Sequence, residues 1–242
     1  MVVHFITFGA GHTRYINAGR RLVKQAYSTG LFINSSMYTK EYLELQPDFW
    51  DRHSEFIQRN PRGFGYWLWK PYIIKKTMDL MADGDVLLYL DCGCEIDVRK
   101  TEAIREFIKY VQTEPAPIIG SFALRERDWT KQDVVERIGV NTPDDLESVQ
   151  YQAGALLILV CEQTRKLVDE WYTIGCDYQY IDDSPSKSPN AVGFIEHRHD
   201  QSIFSLLAKK YQLYSNRRLC SVIEYIRNKS GVSRLRELDM LW

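Results

Sequence analysis

The stretch Gly84-Asp85-Val86-Leu87-Leu88-Tyr89-Leu90-Asp91-Cys92-Gly93-Cys94-Glu95 holds the most informative chemistry in the chain. Its apolar run reads as a buried strand. That strand delivers Asp91 to its carboxyl end, where open α/β sheets place their sites. Gly93 lets a ligand approach the backbone closely, and a carboxylate beside it suits a metal-bound or phosphate-bearing ligand. A second cluster is Gly63-Phe64-Gly65-Tyr66-Trp67-Leu68-Trp69-Lys70-Pro71. Pro71 suits a first helical turn, which sets Lys70 near a helix N-terminus, a place that favours anions. The tryptophans are assigned mainly to packing. A third cluster, Glu196-His197-Arg198-His199-Asp200-Gln201, precedes an apolar helical run. Asp200 can cap that helix, and the histidines, arginine and acid together offer a base, a metal ligand and a phosphate partner. Asp128-Trp129-Thr130-Lys131-Gln132-Asp133 opens a helix with groups of the kind that stack on and hydrogen-bond sugars.

The elements that must position these residues follow from periodicity and breakers. Val2 to Phe8 reads as a first strand ending at Gly9-Ala10-Gly11, with Thr13 capping a helix that stops at Gly30. Leu31 to Asn34 reads as a second strand, giving a β-α-β opening with a right-handed crossover. The spacing predicts helix over 37–60 and again over 67–81, then the Asp91 strand. Ala116 to Phe122 and Ala153 to Val160 read as further strands, the latter followed by a helix from Glu162 to Thr173. The segment 178–190, with Asp182-Asp183-Ser184-Pro185-Ser186-Lys187-Ser188-Pro189, is a loop by its breakers, either a lid or a plain connector.

Composition bounds the rest. Apolar residues at 45% and charged residues at 26% supply a sizeable core. A net charge of −1 argues against binding nucleic acid by phosphate neutralisation. Arg217, Arg218, Arg227, Lys229, Arg234 and Arg236 form a basic C-terminal tail at about 215–242, expected as a solvated helix face, with a surface for an anionic membrane, as peripheral contact, or for an anionic acceptor as the weaker alternative. The five cysteines are odd in number and lack a Cys-x-x-Cys spacing, which disfavours a disulfide scaffold and a zinc site. No apolar stretch reaches the roughly 20 residues that span a bilayer, and the first strand starts without a signal peptide, so a cytoplasmic location is expected. One α/β domain over 1–242 is the reading, with a central, mostly parallel sheet flanked by helices.

The strand ending at Asp91 resembles the Asp-x-Asp segment of nucleotide-sugar glycosyltransferases of the GT-A fold, in which two carboxylates hold a divalent cation against the donor diphosphate. Here the second position is Gly93 and the next carboxylate is Glu95. Tyr151-Gln152-Ala153-Gly154 resembles the segment that lines the acceptor side in those enzymes, and His199-Asp200-Gln201 the one that follows the donor site. In order, these motifs cover about residues 2–207. The resemblance implies a single GT-A-like (Rossmann-like) domain and a hexosyl- or pentosyltransferase acting between a nucleotide-sugar donor, such as a UDP or GDP sugar, and a glycan or other hydroxyl acceptor. It implies that Thr7, Phe8, Gly9, Lys70, Asp91, Gly93 and Gln201 meet the donor. Trp129, Gln152, Ala153 and Gly154 would line the acceptor side. Asp200 would be the base in an inverting enzyme, or orient the donor sugar in a retaining one. Mn²⁺ or Mg²⁺ would be held by Asp91, with His199 or Glu95 as second ligand. The alternatives are a nucleotidyltransferase and a non-catalytic carbohydrate-binding protein with a degenerate site. Neither Gly-x-Gly-x-x-Gly after the first strand nor Gly-x-x-x-x-Gly-Lys-Ser occurs, which disfavours dinucleotide oxidoreductases and P-loop enzymes.

Overall fold

A computed structural model describes residues 1–113 and 115–235. Among the described residues eight strands are formed: β1 Val3–Phe8, β2 Asn34–Tyr38, β3 Val86–Leu90, β4 Glu95–Ile96, β5 Ile118–Arg125, β6 Val149–Leu159, β7 Tyr214–Arg218 and β8 Ile223–Glu224. Six of them build one sheet in the order β2-β1-β3-β6-β5-β7, while β4 and β8 make a small ribbon. Only β6 runs against its neighbours β3 and β5, so the other five strands of the large sheet share one direction. The mostly parallel sheet flanked by helices expected from the sequence is therefore present.

Both faces of the sheet are covered, which explains why β3 is buried at every position rather than alternating. On one face, Leu87, Tyr89 and Ile158 pack against Ile73 and Ile74 of the Trp69–Met78 helix, Trp171 of the Glu162–Gly175 helix and Phe204 of the Asp200–Tyr211 helix. On the other, Val86, Leu88 and Leu90 pack with Leu22 and Ala26 of the Thr13–Ser28 helix and with Ile104, Ile108 and Val111 of the Thr101–Thr113 helix. From β1 the chain moves outward to β2, whereas from β3 it moves to the opposite half of the sheet. The strand order thus reverses between β1 and β3, and at such a reversal a crevice opens at the carboxyl ends.

Several boundaries differ from the sequence expectation. The second strand lies at Asn34–Tyr38, because parallel pairing with β1 runs from His4 opposite Asn34 to Phe8 opposite Tyr38. Leu31 and Phe32 instead pack as side chains beside the core. His12, not Thr13, caps the first helix, its ring accepting from the Arg14 amide. The stretch 37–60 opens with the end of β2 and continues as two helices, Lys40–Glu44 and Pro47–Arg59. The Asp128–Asp133 segment straddles the end of one short helix, Glu126–Trp129, and the start of another, Gln132–Ile138. None of the tail's described basic residues lies in a helix: Arg217 and Arg218 lie in β7, which pairs with β5. Arg227, Lys229 and Arg234 follow β8 in an irregular strap, and Arg236 lies outside the described residues.

Candidate active site

Asp91 immediately follows β3, and its backbone amide donates to the Gly154 carbonyl at 2.7 Å. Its carboxylate accepts from the Tyr89 hydroxyl at 2.6 Å and stands 3.4 Å from the Lys70 ammonium, yet the side chain is 40% exposed. Gly154 leaves the room this needs, since a Cβ there would sit 3.0 Å from Asp91 Oδ2. At Gly154 it is the Asp91 carboxylate that approaches the backbone closely.

Lys70 is the second residue of the Trp69–Met78 helix, as its neighbour Pro71 suggested. It does not face open space. Its ammonium is held 2.8 Å from Asp200 as well as beside Asp91, and it is buried. Burial works to lower the Lys70 pKa, but the two carboxylates outweigh it and the net direction is upward. For Asp200, burial raises the pKa and the nearby Asp91 charge adds to that, while Lys70 opposes both; the outcome is about 6. Asp200 is the first residue of its helix and does not cap it. Its carbonyl is fixed by the Trp171 indole at 2.8 Å. The base expected from the sequence therefore reaches the crevice only through Lys70 and Asp91.

The remaining donor-side residues divide between packing and backbone support. Thr7 is fully buried and its hydroxyl donates to the Leu90 carbonyl at 2.7 Å, tying β1 to β3. Phe8 stacks on Trp69 with ring centres 3.8 Å apart. Gly9 lies against the Thr13–Ser28 helix, where a Cβ would meet the Tyr15 carbonyl at 2.9 Å. Gly93 does allow close approach, but of the chain itself: a Cβ there would lie 3.2 Å from Arg227 Cα, and the Asn228 amide donates to the Gly93 carbonyl at 2.8 Å. Gln201 spans from the Gln150 side chain to the Ala153 amide, and Ala153 is buried. Among the described residues the half-buried Gln152 side chain has no hydrogen-bond partner. The Trp129 ring is not a free sugar platform, because the Arg198 guanidinium lies over it at 4.1 Å.

Two features were not read from the sequence. The first is a left-handed turn. Gly63, Phe64, Gly65, Tyr66 and Trp67 all have positive φ, between 52° and 82°, a conformation that costs about 1–2 kcal/mol for each non-glycine residue. It is held by the Trp69 indole donating to the Gly63 carbonyl at 2.9 Å and by Arg62, which pairs with Asp183 and Glu196. The turn stacks Tyr66 and Trp67 on His199, which itself has a φ of 52°. Strain of this kind collects at functional sites, and the Gly-x-Gly spacing was its one local signal. The second is the C-terminal strap. Arg21 donates to the carbonyls of Cys92, Cys94, Asn228 and Ser230, fastening the strap across the carboxyl end of β3. This leaves the exposed Arg227 and Lys229 beside Gly93 and Cys92. The 178–190 loop is also fastened, through Asp133 to the Lys187 and Ser188 amides and through Lys131 to Asp182.

A divalent cation needs several ligands converging on one point. Among the described residues no group of three His, Cys, Asp or Glu side chains does so. Glu95 is fully buried, and although burial pushes its pKa up, hydrogen bonds from Ser233, the Arg234 amide, Asn228 and Gln25 bring it below the usual range. His199 shares Nδ1 with the Ile181 carbonyl at 2.8 Å, while Nε2 lies 3.7 Å from Asp183. Asp91 has an ammonium at its side. Of these groups only Asp91 is open to solvent, so a divalent cation here would take most of its ligands from donor oxygens and water.

Comparison with solved structures gives partial overlaps. Mouse xyloside xylosyltransferase 1 superposes with a TM-score of 0.42 at 9% identity, over 88% of this chain and 84% of that one. The galactosyltransferase LgtC, solved with donor and acceptor sugar analogues, gives 0.42 at 14% identity over 88% and 73%. The bifunctional glycosyltransferase WbbM gives 0.45 at 10% identity over 88% of this chain and 38% of that one. No protein-family model matches the chain, and no curated protein matches it by sequence. At overlaps of this size the chemistry rests on the side chains themselves.

Proposed function

We propose that this protein transfers a glycosyl group from a nucleoside diphosphate sugar, such as a UDP or GDP sugar, to a hydroxyl of a glycan or similar acceptor. The observation that carries the reading is Asp91: a solvent-open carboxylate at the carboxyl end of β3, at the reversal of strand order, aimed by the Tyr89 hydroxyl and a buried lysine. Asp91 would accept hydroxyls of the donor ribose or sugar. Asp200 would act as a positioning residue, holding Lys70 against Asp91. Arg227 and Lys229 on the strap supply cations where the departing diphosphate would gather charge. In the transfer, the acceptor oxygen bonds to the anomeric carbon while the bond from that carbon to the diphosphate breaks; the nucleoside diphosphate leaves with the electron pair, and the acceptor's hydroxyl proton passes to the departing diphosphate, directly or through water. All five cysteines are free, in keeping with the cytoplasmic setting expected from the sequence. Among the described residues no helix is long and apolar enough to cross a membrane.

The test is a panel of nucleotide sugars incubated with the protein, with nucleoside diphosphate release as readout. Slow release, increased by a hydroxyl acceptor, supports transfer. Absence of release with retained sugar binding would instead favour a binding protein. Formation of pyrophosphate from a nucleoside triphosphate and a sugar 1-phosphate would favour the nucleotidyltransferase alternative.

A further inference from the structure

Arg198 is set apart by what it lacks. Around it the cations are paired: Arg62 with Asp183 and Glu196, Arg125 and Arg127 with Asp128 and Glu147, the buried Lys131 with Asp182, and Lys70 with Asp91 and Asp200. Among the described residues the half-buried Arg198 guanidinium has no ion pair and no hydrogen bond, and its Nε is buried without a partner. Its neighbour Glu196 is already engaged by Arg62. Glu196 attracts it at a distance without direct contact, and a guanidinium taken partly out of water with no directly bonded partner is costly. It is nevertheless held in one orientation, stacked 4.1 Å over Trp129, and stacking of this kind pre-organises the planar fork for a carboxylate or phosphate. The Arg198 amide donates to the Trp129 carbonyl, its own carbonyl accepts from the Gln201 amide, and the Gln201 side chain reaches the Ala153 amide. That chain of contacts joins Arg198 to the Gln152-Ala153-Gly154 segment beside Asp91.

We infer that Arg198, stacked on Trp129, is the recognition point for an anionic group on the acceptor sugar, a carboxylate or a phosphate. The inference rests on the glycosyl-transfer reading and adds to it the chemical class of the acceptor. Neutral sugars would leave the guanidinium unpaired, so the site discriminates by charge.

The test compares binding of methyl β-glucoside, methyl β-glucuronide and glucose 6-phosphate to the full chain by ligand-observed magnetic resonance, in the wild type and in folded Arg198→Gln and Arg198→Lys variants. The wild type is expected to bind at least one anionic sugar about tenfold or more tightly than the neutral glycoside, the size of a charge-assisted contact. Preference for the glucuronide alone assigns a carboxylate, and preference for glucose 6-phosphate alone assigns a phosphate. Arg198→Gln should abolish the preference, and Arg198→Lys should keep part of it. Equal binding of all three sugars by the wild type, including no binding of any, overturns the inference, as does a preference that survives in Arg198→Gln. Nucleotide-sugar turnover is measured separately, so failure of the transfer reading and failure of the charge preference give different results.

Discussion

Lys70 Nζ lies 2.8 Å from Asp200 Oδ2, and each side chain is only 4% exposed. The pair joins the first turn of the Trp69–Met78 helix to the first residue of the Asp200–Tyr211 helix, both packed on the same face of the sheet. Asp91, 3.4 Å from the same ammonium, is the member of the triad open to solvent. A buried cation shared between one sealed and one open carboxylate fixes where the open one points.

Removing that cation should be expensive. Lys70→Met leaves two carboxylates near each other with one of them sealed from water, and breaking a buried pair in this way costs about 3–5 kcal/mol. Urea unfolding of the variant at pH 7.5 is expected to show a loss in that range. A loss below about 1 kcal/mol would mean that the pair does not hold the helices in place.

The raised Asp200 pKa gives a signed dependence on pH. Its folded value of about 6 exceeds the ordinary aspartate value of about 3.9, so between these the folded state binds more protons than the unfolded one. Its contribution to stability is then full below about pH 4 and is lost as pH rises through about 6, a change of roughly 2–3 kcal/mol. Unfolding free energies of the wild type and Asp200→Asn, compared from pH 4 to pH 8, should differ by a term that shifts in favour of the variant as pH rises. A pH-independent difference would contradict the assignment.

For turnover, charge at Asp91 and space beside it are predicted to matter separately. Asp91→Asn keeps the volume and removes the charge, and nucleotide-sugar turnover should fall by about 10²-fold or more with the fold retained by circular dichroism. Gly154→Ala brings a methyl to about the closest tolerable distance from the carboxylate, and should lower turnover less severely by turning Asp91 away. Near wild-type rates in folded Asp91→Asn would remove this residue from the site.

Two glycines separate strain from crowding. Gly30 and Gly63 have φ values of 64° and 60°, but a Cβ at Gly30 meets nothing within 4 Å, whereas one at Gly63 runs into the Trp67 ring. Gly30→Ala should cost about 1 kcal/mol, from backbone strain alone. Gly63→Ala should cost about 2–4 kcal/mol by adding overpacking and should also alter tryptophan fluorescence as Trp67 leaves His199. Equal losses would show that the turn relaxes around the methyl.

Arg227 and Lys229 are predicted to hold the nucleoside diphosphate. The double replacement by alanine should weaken its binding by about tenfold or more in calorimetry, and the effect should shrink at high salt because both side chains are exposed. Unchanged affinity would leave the strap a structural brace only.

What the sequence by itself determined was local. The apolar run of β3, the Gly-Ala-Gly stop after β1 and Pro71 beside Lys70 each act through chain neighbours, and burial on both faces of a parallel sheet writes itself as a continuous apolar run. Those signals placed Asp91 at a strand end and Lys70 in a first helical turn. Only the tertiary structure decided what the two residues face. Thr7 and Phe8 looked available because a sequence does not reveal what packs against the end of β1; Thr7 is tied to the Leu90 carbonyl, Phe8 is stacked on Trp69, and both are buried. The second strand was misplaced by three residues because Leu31 and Phe32 are apolar for packing, while the less apolar Asn34–Tyr38 segment forms the ladder at the sheet edge. The basic tail looked like a solvated helix face because a run rich in arginine and lysine suits an exposed surface. Pairing with β5, and Arg21 reaching four carbonyls around Gly93, turned it into a strand and a strap. Contacts between residues far apart in the chain depend on which surfaces bury each other, and that choice belongs to the whole fold, not to any window of the sequence.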